Sequence, residues 1–200
     1  MQNQDYAEGG VREQLILAGI DEIKEHGIVG FSQRRVAAAC HVSCAAPYKW
    51  FGSREGLVQA VREYIDEQWE LFARELIAIY QSDARRMMIE LSLGYLSFLN
   101  ANPKFRTVLF YCDEIENGCA PVHSTPCVDA AIEQYAESCH MSREELAMRR
   151  FMVYSAVIGA SLLPRHEEGK FGLSEEEYAM VYRCIEHAVC DPLPFGKAER

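Results

Sequence analysis

The chain has 200 residues, of which 49% are hydrophobic and 25% charged, and carries a formal net charge of −10. That is enough apolar material for one sizeable core or two small ones, in the proportions of an ordinary globular protein. No run approaches the roughly 18 apolar residues of a membrane span, and MQNQDYAEGG lacks the basic start and apolar run of a secretion signal, so a cytoplasmic protein is expected.

In chain order the pattern is helical throughout, with no convincing strand. Leu15, Ile16, Gly19, Ile20 and Ile23 recur at helical spacing and Gly27 follows as a stop, so a first helix is expected over about residues 11–26. After GIVGF, Ser32 is a suitable N-cap for a short second helix with Val36, Ala37 and Cys40 inward, ending near His41. Ser43 is expected to cap a third helix of barely two turns, ending near Phe51. Ser53 then starts a long fourth helix with Leu57, Val61, Tyr64, Ile65, Gln68, Phe72, Leu76 and Ile79 on one face.

The second half carries clear punctuation. Met87, Met88, Leu91, Tyr95, Phe98 and Leu99 mark a fifth helix; Asn102-Pro103 and Thr125-Pro126 open the sixth and seventh. Ser142-x-x-Glu145 and Ser174-x-x-Glu177 are capping boxes for the eighth and ninth, with Pro164 and Pro192 beyond their ends. The eighth runs apolar nearly all round, from Phe151 to Leu163, and so needs covering on more than one side: by a second copy, or as the central helix of a monomer. The expected fold is all-α, with nine helices.

Charge is distributed unevenly. Residues 1–60 carry six Lys/Arg and seven Asp/Glu, net −1, against fourteen and twenty-three, net −9, in residues 61–200. From His26 to Arg54 there are Arg34, Arg35, Lys49 and Arg54 and no acidic residue. A local basic face on an acidic body suits a DNA-binding domain joined to a separate regulatory domain, though chance clustering on a solvated face gives the same pattern.

The eight cysteines (40, 44, 112, 119, 127, 139, 184, 190) form no CxxC pair, so reduced and mostly buried thiols are expected. No G-x-S-x-G, Gly-rich phosphate loop, HExxH or H-x-E…CxxC motif is present, so nothing marks an enzyme, and no cofactor is expected.

The run from Leu15 to Leu57 resembles, without a gap, the DNA-binding domain of the TetR family. An apolar helix closed by Gly27 is followed by Phe31-Ser32, Val36-Ala37, Val42-Ser43, Pro47-Tyr48-Lys49-Trp50-Phe51, Ser53-Arg54-Glu55 and Leu57. Trp50 and Pro47 depart from the family's commoner histidine and leucine. The rest resembles the family only in length and helix count. The resemblance implies a helix-turn-helix domain over residues 1–52, with 1–10 a flexible arm, and an effector-binding and dimerisation domain over 53–200. It also implies an effector pocket among helices four to seven, a homodimer through the last two helices, and a palindromic double-stranded operator.

A helix-turn-helix lays its second helix in the major groove with N-terminal side chains on base edges. The expected DNA-binding residues are Ser32, Gln33, Arg34, Ser43, Cys44, Ala45, Ala46, Tyr48, Lys49 and Arg54. Cys44, Ala45 and Ala46 suit thymine methyl groups, so hydrogen-bonded readout is expected from Gln33, Arg34 and Lys49, with DNA deformability supplying part of the specificity. Tyr48, Lys49 and Arg54 match family positions near phosphates and bases, and the amides at the start of the fourth helix could hold a phosphate beside Arg54. Plainer roles stand beside these: Tyr48 and Trp50 as core, Arg35 as a solvated neighbour, Cys40 as core, and Cys44 as either an inert thiol or a redox switch.

For a small-molecule effector the expected ligand-binding residues are Met88, Tyr95, Phe110, Tyr111, Glu114, Tyr135 and Tyr154, with Asp113 or Glu114 as partner for a cationic lipophilic compound. Two rivals are a metal or redox sensor built on Cys119-x3-His123-x3-Cys127 with Cys112 or Cys139, in a spacing unlike usual zinc sites, and a helical carrier that does not bind DNA.

Overall fold

The computed structural model describes residues 2–116, 125–163 and 173–193, with side chains excepted at 2–9 and 110–116. Among the described residues there are nine helices and no strand: α1 (Gln2–His26), α2 (Gln33–Ala39), α3 (Ala46–Phe51), α4 (Arg54–Tyr80), α5 (Ala84–Ala101), α6 (Pro103–Glu116), α7 (Pro126–Ser138), α8 (Arg143–Leu162) and α9 (Glu175–Cys190). None is long and apolar enough to cross a membrane among the described residues. The chain forms two compact units: residues 1–67 with 102–120, and residues 68–101 with 121–200.

In unit one the expected stripe of α1 is the core: Leu15, Ile16, Ile20 and Ile23 are buried together with Phe31, Val36, Ala37, Leu57, Val61 and Ile65. Gly19 lets α4 approach, since a Cβ there would lie 2.9 Å from Val61 Cγ2. Gly27, at φ +67°, ends α1 in the left-handed conformation that glycine adopts freely. The arm expected over residues 1–10 is helical from Gln2 onward; only Gly9-Gly10 opposes helix there, at about 1 kcal/mol each, too little to interrupt it.

Unit two is organised around α5, which packs against α7, α8 and α9. Met87, Met88, Leu91, Tyr95, Phe98 and Leu99 are all buried, as are Ile89, Leu93 and Leu96 between them. The fully surrounded helix is therefore α5, and α8 is not the central helix of a monomer. It buries Arg149, Val157, Ala160 and Ser161, while Phe151, Met152, Leu162 and Leu163 are exposed, Phe151 at 72%.

Along α4 the stripe departs from expectation beyond Ile65. Trp69 and Ala73 are buried, whereas Phe72 and Ile79 are exposed. The steps Leu57, Val61, Ile65, Trp69, Ala73 follow an i+4 row, which drifts around the helix, and the indole has more area to hide than Phe72. Trp69 sits at 4.9 Å from the Tyr95 ring and 5.6 Å from Phe98, forming an aromatic cluster on α5.

Helix ends follow the sequence closely, with three differences. Ser32 Oγ accepts from Arg35 N–H, and Ser174 and Glu177 complete a reciprocal capping box. At α8 the box is half made, because Ser142 Oγ accepts from Glu145 N–H while the Glu145 carboxylate turns to Arg149 at 2.8 Å. Thr125 precedes α7 without a side-chain cap; it is buried, with Oγ1 3.6 Å from Cys127 Sγ. Ser43 does not cap α3. Its carbonyl accepts from Ala46 N–H in a tight turn, and α3 begins at Ala46 with Pro47 in its first turn, where a missing N–H costs nothing.

Candidate nucleic-acid interface and ligand cavity

Around the turn between α2 and α3 the side chains divide sharply between inside and outside. Val36, Ala37 and Pro47 anchor the pair of helices in the core. Arg34, Ser43, Cys44, Ala45, Tyr48 and Lys49 are exposed, Tyr48 at 59%, so Tyr48 is not core. Ala46 and Ser32 are half-buried. Trp50 is half-buried and carries Lys49 Nζ 5.6 Å above its ring, a cation–π contact that holds the ammonium beside α3. The exposed side therefore carries two cations, a phenol and a patch of small apolar groups.

Two residues expected to touch DNA are committed to the scaffold instead. Gln33 is 6% exposed and its Nε2 donates to Ser53 O at 2.7 Å, tying the start of α2 to the start of α4. Its amide is therefore turned away from the face where Arg34 and Lys49 lie. Arg54 donates to the carbonyls of Ile28 and Phe31 and lies over the Phe31 ring at 5.7 Å, so it clamps the loop after α1. The amides at the start of α4 are also taken. Ser53 Oγ accepts from Gly56 N–H, while the Glu55 carboxyl accepts from its own N–H and from Ser53, which holds it below the usual carboxylate range. A phosphate would meet that carboxylate.

Arg35, read as a solvated neighbour, instead makes a forked pair with buried Glu22 of α1, with Nε 2.9 Å from Oε1, and also donates to Gly30 O. Glu22 further accepts from Ser32 N–H at 3.0 Å. This pair locks α2 onto α1. An acid inside the apolar stripe beside Ile23 was its only trace in the sequence. The groove between α1 and α2, lined by Asp21, Glu22 and Glu25 with Arg35, is acidic and unsuited to a phosphate backbone.

Unit two contains a largely apolar cavity of about 70 Å³. Met88 and Tyr95 of α5, Tyr135 of α7 and Tyr154 of α8 all line it, so four of the expected ligand residues come together. The side chains of Phe110, Tyr111, Asp113 and Glu114 lie outside the described residues. Trp69 of α4 and Val189 of α9 also take part, and α8 supplies the largest share, so the walls are not helices four to seven alone. Among the described residues the lining holds no carboxylate and two arginines, Arg149 and Arg150, contrary to the lining expected for a cationic compound.

Most polar atoms of this cavity are engaged within the protein. Tyr135 is 2% exposed; its hydroxyl donates to Val189 O at 2.7 Å, and burial pushes its pKa up to about 12. Arg149, 6% exposed, donates to the carbonyls of Ala188 (2.7 Å), Val189 (3.1 Å) and Asp191 (2.9 Å). It thus satisfies the carbonyls that the end of α9 leaves unpaired and opposes the dipole there. An arginine inside an apolar run was its only signal.

The thiols are less buried than expected. Cys44 and Cys184 are exposed, and Cys40, Cys127, Cys139 and Cys190 are half-buried; all but Cys184, which lies on the outer face of α9, sit at helix ends or in the turn before α3. Cys40 Sγ donates to Gln14 O at 3.4 Å and burial raises its pKa. No metal-holding group of three His, Cys, Asp or Glu occurs among the described residues; Cys119, His123 and the Cys112 side chain lie outside them.

No protein-family model matches the chain, and no curated protein matches it by sequence. Solved structures do match. A TetR family transcription regulator from Marinobacter aquaeolei VT8 superposes with a TM-score of 0.69 at 17% identity, over 94% of this chain and 98% of that one. A protein from Lactobacillus plantarum assigned as a transcription regulator superposes with a TM-score of 0.60 at 13% identity, over 86% and 97%. Agreement over most of the chain at such low identity shows the architecture: this all-helical protein has the fold of the TetR-family transcription regulators.

Proposed function

We propose that the chain is a TetR-type transcription regulator that represses by holding a palindromic operator as a homodimer and releases it when a small molecule occupies the cavity of unit two. The observation that carries this reading is the exposed face around α3. Tyr48 and Lys49 project from a six-residue helix braced from beneath by Pro47 and, through α2, by the Gln33–Ser53 bond. It lies in the one stretch of the chain where four Lys/Arg occur from residue 26 to 54 without an acidic residue.

In this reading Arg34 and Lys49 supply the positive charge that phosphates require, Tyr48 adds a hydroxyl, and Cys44, Ala45 and Ala46 meet thymine methyls. Gln33 and Arg54 hold the helices in place and do not read bases. The second copy packs against the apolar side of α8 and α9, where Phe151, Leu162, Leu163 and Met180 stand exposed at 72%, 59%, 47% and 53%. Two copies of α3 then reach successive major grooves only when held roughly 34–36 Å apart. A ligand that prefers a conformer with another spacing draws the population off DNA, by no more than its difference in affinity for the two conformers. Helix α4, with residues in both units, is the lever.

The test uses a duplex selected from random sequence. Tyr48→Ala and Lys49→Ala should each weaken its binding about tenfold while leaving the dimer intact, and Lys49→Ala should also lower the salt slope by about two, one for each copy. If both variants bind like the parent, the α3 face is not the DNA-reading surface.

A further inference from the structure

Two donors at the lining of the unit-two cavity, Trp69 and Arg150, meet no acceptor among the described residues. Ser92 Oγ is spent on Met88 O at 2.6 Å, the Tyr135 hydroxyl on Val189 O, and Arg149 on the end of α9. Trp69 lines the cavity at 3% exposure with ring contacts to Phe72, Tyr95 and Phe98, and its indole N–H, which can only donate, meets no acceptor among the described residues. Arg150, half-buried at the same lining, makes no ion pair or hydrogen bond among them. A buried donor of this kind is rare in a finished protein and points to a partner supplied from outside.

Resting on the effector reading above, we propose that the ligand of this cavity is a small apolar carboxylate. Its hydrocarbon part lies among Met88, Leu91, Val128, Ile132 and Val157, and its oxygens accept from Trp69 Nε1 and are neutralised by Arg150. A neutral molecule could satisfy the indole and leave Arg150 uncompensated; a cation would meet Arg150 with like charge. Size narrows the class further. The cavity holds about 70 Å³, against the roughly 150 Å³ that admits benzene. By that measure a six-atom acid such as butyrate, and equally a ring acid, fits once the flexible thioether of Met88 gives way.

The test is titration of the full chain, without DNA, by calorimetry and thermal shift with two matched sets: butyrate, butyramide and butylamine; benzoate, benzamide and benzylamine. In at least one set the carboxylate should bind about tenfold or more tightly than the amide, with no binding of the amine. Arg150→Gln, a change at a half-buried side chain, should bring the carboxylate down to the amide's affinity with unchanged helicity. Trp69→Phe should weaken carboxylate and amide alike. No binding in either set, an amide or amine that matches the carboxylate in both, or a parent-like Arg150→Gln would overturn the proposal. Because no DNA is present, failure of operator binding leaves this result standing, and failure here leaves the α3 face untouched.

Discussion

Replacing Arg149 with methionine should unfold unit two far more easily than its sequence neighbourhood suggests. The guanidinium is 6% exposed and donates to three main-chain carbonyls, of Ala188, Val189 and Asp191, besides the Glu145 carboxylate at 2.8 Å. Methionine fills much of the space and restores none of these bonds, so the buried Ala188 carbonyl is left without a donor, Val189 keeps only the Tyr135 hydroxyl, and the carbonyl of exposed Asp191 turns to water. At about 1 kcal/mol or more for each charged bond lost, the cost is about 3 kcal/mol. For a chain of this size that lowers the melting temperature by roughly 6–12 °C. Glu145→Gln is the control, because that carboxylate is 38% exposed and an exposed pair contributes within about 1 kcal/mol. The assay is urea unfolding followed by far-ultraviolet circular dichroism. If Arg149→Met loses less than 1 kcal/mol, or no more than Glu145→Gln, the capping of α9 by this arginine is not what holds α8 and α9 together.

Other outcomes follow from the same geometry. Tyr135 keeps its proton in the folded state up to about pH 12, while the unfolded chain releases it near pH 10; its contribution is therefore complete below pH 10 and lost as pH rises towards 12. Tyr135→Phe should flatten that alkaline decline in the urea midpoint, and an unchanged decline would refute the assignment. Gly56→Ala would place a Cβ 2.0 Å from Phe51 O, forcing α3 away from α4 at a cost of about 1–3 kcal/mol, so thermal stability and operator binding should both fall. Phe151→Glu, at 72% exposure, should leave helicity unchanged and yield monomers in analytical ultracentrifugation; persistence of dimers would exclude that face as the interface.

The helical layout was legible because the signals that set it are local. Glycine at φ +67° ends α1, Ser32 and Ser174 cap their helices, and the i, i+3, i+4 stripe of Leu15 to Ile23 marks a buried face. What escaped was set by partners distant in sequence. Gln33 looked like a base reader on α2 until its amide met Ser53, twenty residues on. Arg35 is bound by Glu22 and Arg54 by the loop after α1, so three of the polar groups nearest α3 are scaffold. A basic residue in a sequence shows its charge, not whether that charge is already spent. The same holds in the cavity: Tyr135 and Tyr154 were foreseen as lining, but Trp69 displaced Phe72 from the buried stripe of α4, and Arg149 and Arg150 arrived from a helix read as interface. Side chains that reach across the fold leave only a weak trace, a polar residue in an apolar run.

Selection of bound duplexes from a random pool by the full chain, followed by sequencing, tests most directly whether two copies of α3 read DNA. The account predicts an enriched site with two-fold symmetry, its half-sites centred about one helical turn or a multiple apart, and the loss of that enrichment with Tyr48→Ala. A pool that stays random, or enriched sites without symmetry that the variant still selects, would contradict it.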